Sequence, residues 1–64
     1  MAQTNLQKVR QAAGLSQSQL AQRAGVSLRT LQHYEIGSKD IRKAAVETVL
    51  ALAEALNCDL KEII

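Results

Sequence analysis

The sequence predicts an all-α domain, and three observations carry that reading. Its apolar 47% is mostly alanine and leucine, which are good helix formers, and the chain has no proline, phenylalanine or tryptophan. β-branched and aromatic runs of the kind that mark strands are absent. Most apolar-periodic segments lie between a polar capping residue and a glycine or asparagine. Sixty-four residues allow one domain, residues 1–64, that buries only about 60% of its unfolded surface. A domain of that size usually needs a staple. Cys58 is the only cysteine, so no disulfide forms within the chain. Together with the single histidine, His33, it cannot supply a four-ligand zinc site. No metal or other cofactor is expected, which leaves helix packing and self-association.

Four short helices and one longer helix follow from the caps. Thr4 with Gln7 three residues on fits a capping box, Leu6, Val9 and Ala13 form an apolar stripe, and Gly14 stops the helix. Ser16 with Gln19 makes a second capping box, followed by Leu20, Ala21 and Ala24 on one face and Gly25 as terminator. Ser27 caps a third helix that turns Leu31 and Tyr34 inward and ends near Gly37. Residues 38–43, SKDIRK, form a polar basic connection. The longer helix runs over 44–56, with Val46, Val49, Leu50, Ala53 and Leu56 at helical spacing and Asn57 as a left-handed terminator. Asp59 with Glu62 opens a last turn, LKEII.

Charge divides the chain unevenly. Residues 1–34 carry Lys8, Arg10, Arg23 and Arg29 and no acid. Residues 44–64 carry Lys61 against Glu47, Glu54, Asp59 and Glu62. A cationic body on an acidic tail is the footprint of a polyanion binder. The opening MAQTNLQKVR has no apolar stretch of the signal-peptide type, and 44–56 is too short to span a bilayer, so a cytoplasmic protein is expected. An enzyme is not expected, because His33 and Cys58 lie on different helices with no acid or base arranged near them.

The informative stretch is QSQLAQRAGVSLRTLQHYEI, residues 17–36. Helix, glycine turn, helix is the plan of a helix-turn-helix. Ala21 must be small where the helices cross, and Gly25 permits the positive φ of the turn. On a helical wheel Leu31, Tyr34 and Glu35 fall toward the body. Arg29, Gln32, His33 and Ile36 fall outward, and the first three are donor-rich groups suited to base edges in a major groove.

The positions Leu15-Ser16-Gln17, Leu20-Ala21, Gly25-Val26-Ser27 and Glu35-x-Gly37, with LALAEALNCDLKEII after them, resemble the lambda-repressor-like helix-turn-helix family. These are the Cro/XRE-type regulators of bacteria and phages. The likeness runs from Leu6 to Ile64. It implies a compact five-helix fold that binds double-stranded DNA as a small transcriptional regulator, most simply a repressor. By that resemblance Leu28, Arg29, Gln32 and His33 take the base-reading positions. Gln17, Ser27, Lys39, Arg42 and Lys43 take phosphate contacts, with Gln17 also bracing a base-reading side chain. Arg10 and Glu35 form a structural ion pair, and a homodimer forms through the C-terminal part, with Leu60, Ile63 and Ile64 as candidates. Two positions depart from the family pattern. Ile36 stands where asparagine is common, and the loop SKDIRKAA lacks the usual proline. The alternative function is a protein-interaction module, an antitoxin-like or adaptor helical domain, favoured by Leu28 and Ile36 on the outer face. No small-molecule ligand and no membrane is implied.

Overall fold

The computed structural model describes residues 4–64. The caps read from the sequence act where the helices begin. Helix α1 spans Asn5–Ala12, and the Thr4 hydroxyl accepts from the Gln7 N–H at 3.2 Å, but the returning Gln7 side-chain contact of a full capping box does not form. The same hydroxyl donates to the Glu35 carbonyl at 2.9 Å, so this cap also fastens α1 to a residue 31 positions later in the chain. Helix α2 spans Gln17–Ala24 and starts on a complete capping box, with Ser16 Oγ accepting from the Gln19 N–H and Gln19 Oε1 accepting from the Ser16 N–H. Helix α3 spans Leu28–Ile36, capped by Ser27. Helix α4 spans Val46–Leu56 and begins at Ala45 with no side-chain cap. Its carboxyl end turns at Asn57, whose φ of 55° is left-handed.

The expected fifth helix is not an α-helix. The described residues hold four α-helices and two single 3₁₀ turns, Ile41–Lys43 and Leu60–Glu62. The last segment has one capping contact, from the Asp59 N–H to the Glu62 carboxylate at 2.9 Å. Its backbone closes by i→i−3 bonds, from the Glu62 N–H to the Asp59 carbonyl at 3.0 Å and from the Ile63 N–H to the Leu60 carbonyl at 3.1 Å, which is the tighter 3₁₀ turn. The loop drawn from the sequence as a plain polar connection likewise contains a 3₁₀ turn, closed by Asp40 accepting from the Arg42 N–H at 2.9 Å.

Helix α2 sits in the middle. It packs most extensively on α4 and next on α3. Leu6, Leu20, Ala21, Leu31, Val49, Leu52, Ala53, Leu56 and Ile63 make one continuous core. Leu20, Leu31 and Leu52 are fully enclosed. On α4 the wheel needs a correction. Leu52 faces inward, whereas Val46 is 67% and Leu50 40% exposed. The helix is apolar over most of its surface, so spacing alone gave no contrast between its buried and open sides. Ile63 also needs a correction, because it is 1% exposed and closes the core of this chain rather than lying at a surface where a partner could reach it. The two ends of the chain meet nearby, where Asn5 Nδ2 donates to the Ile64 carbonyl at 3.1 Å.

Candidate nucleic-acid interface

The α2–α3 turn is built from two residues. Gly25 adopts φ +71°, which ends α2, and the Val26 N–H returns to the Ala21 carbonyl at 3.1 Å. Ala21 is 4% exposed, and its single methyl leaves room for α3 to cross α2 closely. Leu31 then anchors α3 in the apolar core, and Glu35 anchors it one turn later in a polar one.

Glu35 is the one buried charged residue of the described chain, at 2% exposure. Its carboxylate accepts from Arg10 Nε at 2.6 Å and from Arg10 Nη2 at 3.1 Å. Arg10 Nη1 continues to the Leu15 carbonyl at 2.8 Å. A guanidinium fork on a carboxylate fixes distance and orientation together. Gln17 Nε2 donates at 3.1 Å to Glu35 Oε1, the oxygen that also accepts from Arg10 Nη2, and no buried side-chain nitrogen or oxygen among the described residues lacks a partner. The pair therefore ties α1, α2 and α3 at one point.

That network reaches the surface of α3. Gln17 turns its amide nitrogen to the carboxylate and so points its Oε1 away, where it accepts from Gln32 Nε2 at 3.3 Å. The side chain of Gln17 is thus half-buried and committed to Glu35 and Gln32. Gln32 keeps its own Oε1 and one N–H outward. Leu28 and Arg29 are exposed, and Arg29 has no ion pair among the described residues. Ile36 is 71% exposed on the same side. His33 is half-buried, because its ring folds back on the loop, with Nδ1 2.7 Å from Ser38 Oγ. Ser27 spends its hydroxyl within the cap, accepting from the Thr30 N–H and donating to Thr30 Oγ1 at 2.7 Å. Its polar reach toward a ligand is through the open first turn of α3.

The loop after α3 carries Lys39, Arg42 and Lys43, all exposed. Arg42 Nε lies 3.3 Å from Asp40 Oδ1. Hydrogen bonds from the Arg42 side chain and backbone hold the Asp40 carboxyl below its usual range. This pair is open to water, so a phosphate can compete for the guanidinium. Sequence reasoning missed the Ser38 contact, the link from Gln17 to Glu35 and the second bond of Thr4. A serine directly after the terminating glycine was the visible sign of the first. The other two depend on which rotamer a polar side chain takes in the assembled fold.

Two short helices crossing over Ala21, with the second held from beneath and donor-rich above, define a helix-turn-helix DNA-binding protein. The helix-turn-helix family model matches residues 6–63, and the chain belongs to that family. It is a DNA-binding regulator of the XRE type. Among solved structures it is similar to the restriction-modification controller protein C.AhdI from Aeromonas hydrophila, at 30% identity and a TM-score of 0.82. That likeness covers 94% of this chain and 86% of the other. Comparison with curated proteins returns no match. No described helix is long and apolar enough to cross a membrane.

Proposed function

We propose that this regulator is a cytoplasmic repressor that lays α3 in the major groove and acts as a two-fold homodimer. The observation that carries the reading is the division of α3 between two duties. Leu31 and Glu35 hold it from inside, and Leu28, Arg29, Gln32 and His33 are left to face bases. Arg29 offers two parallel donors, the fit for guanine O6 and N7. Gln32 offers the acceptor and donor pair that suits adenine, and Leu28 an apolar contact for a thymine methyl. Lys39, Arg42 and Lys43 would follow the phosphate backbone, with the first turns of α2 at Gln17 and α3 at Ser27 presenting backbone N–H groups to it. For Gln17 the backbone is the proposed contact, since its side chain is already taken. Similarity to a restriction-modification controller protein supports the role of a regulator.

Size supports the dimer. The described chain measures 23 × 23 × 22 Å, while successive major-groove faces lie about 34 Å apart, so two readouts need two copies. Val46, Leu50 and Ile64 are the exposed large apolar residues of the C-terminal part, and Leu50, half-buried Leu60 and Ile64 line one shallow groove. We place the second copy there.

The competing adaptor reading draws on one observation, the 71% exposure of Ile36 and the 40% exposure of Leu28 on α3. Titration into labelled DNA from upstream of the chain's own gene, and into scrambled DNA of equal composition, separates the two. A regulator prefers the native DNA by about 10³ or more. Its affinity also falls steeply with salt as phosphate counterions are released. Absence of binding to either DNA at low salt overturns the proposal and leaves the adaptor.

A further inference from the structure

His33 and Ser38 form a closed hydrogen-bonded unit at the carboxyl end of α3. Ser38 Oγ lies 2.7 Å from His33 Nδ1 and 3.3 Å from the His33 carbonyl oxygen. The Lys39 N–H reaches the same carbonyl at 3.2 Å. A carbonyl can only accept, and a serine hydroxyl has one proton to give. Both serine contacts are satisfied together in one way only. The hydroxyl proton goes to the carbonyl, and Oγ accepts from an Nδ1–H. The reverse arrangement, with the hydroxyl donating to a bare Nδ1, forfeits the carbonyl contact. The carbonyls that end a helix lack partners within it and carry the negative end of its dipole, which favours a donor there.

Which ring nitrogen holds the proton is set by the partner of the other. With Nδ1–H engaged, the neutral ring has a bare Nε2. That atom has no hydrogen bond within the described chain, and no half-buried side-chain nitrogen is sealed from solvent without a partner, so Nε2 is open to water. Building on the placement of α3 in the major groove, we propose that Ser38 is a positioning residue that makes His33 a hydrogen-bond acceptor. His33 then selects a base edge carrying an amino group, adenine N6 or cytosine N4. The opposite tautomer would present an Nε2–H and select an acceptor instead, guanine N7 or O6, adenine N7 or thymine O4. Ser38 would thus set a base preference without touching the base.

Two measurements test this. The first is ¹⁵N NMR of the His33 ring in the free protein, at a pH where the imidazole is neutral. Protonated Nδ1 in wild type, shifting toward protonated Nε2 in Ser38→Ala, is expected. Protonated Nε2 in wild type overturns the assignment whatever the protein does with DNA. The second measurement places each of the four base pairs in turn at every position of the selected operator, and adds a duplex in which adenine is replaced by purine lacking the 6-amino group. Wild type should prefer an amino-bearing base at one position by about tenfold. That preference should vanish in Ser38→Ala, survive in Ser38→Thr, and leave affinity for scrambled DNA unchanged. Loss on the purine duplex identifies adenine, and a preference for cytosine identifies the other amino group. An unchanged preference in Ser38→Ala overturns the proposal. The expected tautomer in a protein that shows no sequence preference overturns the base-reading role and, separately, the placement of α3 on DNA.

Discussion

The two ends of this molecule are held together by different forces. Around α3 the decisive contacts are polar and directional. Arg10, Gln17 and the Thr4 hydroxyl converge on Glu35, and each contact has a fixed angle. Around α4 the contacts are apolar and forgiving, through Val49, Leu52, Ala53, Leu56 and Ile63. The polar end specifies where a helix points, and the apolar end supplies most of the adhesion. A buried ion pair adds little net stability over a well-packed apolar equivalent, yet removal of one member strands the other. Orientation of α3 is therefore the property the chain gains from Glu35.

The contrast can be broken most severely at Glu35. Glu35→Ala leaves Arg10 and Gln17 without their acceptor and should cost about 3–5 kcal/mol. A chain of this length has only about 3–10 kcal/mol in total. The thermal midpoint should fall by tens of degrees, while Glu54→Ala, on an exposed position of α4, should leave it nearly unchanged. Equal midpoints for the two variants would remove the structural role given to Glu35. On the apolar side Leu52→Ala should cost about 2–5 kcal/mol by leaving a cavity, measured by denaturant unfolding. Because it disturbs no directional contact, the folded fraction should keep its DNA preference unchanged.

Smaller effects should leave the fold alone. Arg29→Ala should weaken binding to the preferred DNA by about ten- to a hundredfold, with little change on scrambled DNA and an unchanged thermal midpoint. Leu50→Asp places a charge in the apolar groove beside Leu60 and Ile64. It should weaken binding to a two-half-site operator by about tenfold or more and leave single-half-site binding unaltered, as read by anisotropy. The smallest effect concerns Cys58. Burial first, and then the neighbouring Glu62 carboxylate, push its thiol above the usual range. The nucleophilic thiolate is therefore scarcer at neutral pH, so alkylation should be slower than for free cysteine, and Glu62→Gln should speed it modestly.

Much of this contrast was legible in the residues. Ser16 with Gln19, Ser27, Gly25 and Asn57 each act locally through a backbone a few positions away, and local signals survive in a sequence. The wheel placed Leu31 and Glu35 inward on α3 because that helix has a sharp polar side to set against them. On α4 it failed. Leu50 and Leu52 carry the same side chain two residues apart, and only the position of α2 decides that Leu52 is buried and Leu50 open. Leu60, Ile63 and Ile64 read alike from the sequence, as contacts for a second copy or as core, and only the assembled fold decides that Ile63 is buried. The hydrogen-bonded routes from Glu35 through Gln17 to Gln32, and from Ser38 to His33, join side chains whose rotamers have no counterpart in spacing.

The division of labour on α3 also bears on how such a protein can change. Its structural duties rest on Leu31 and Glu35, and both are buried. Arg29 and Ile36 are exposed, Leu28 is 40% exposed, and the Gln32 side chain holds only a single 3.3 Å contact. New residues at those four positions therefore cost the fold little. A lineage carrying this chain can exchange one target for another by small steps, each leaving a folded protein, so that its vocabulary can drift while its grammar stays fixed.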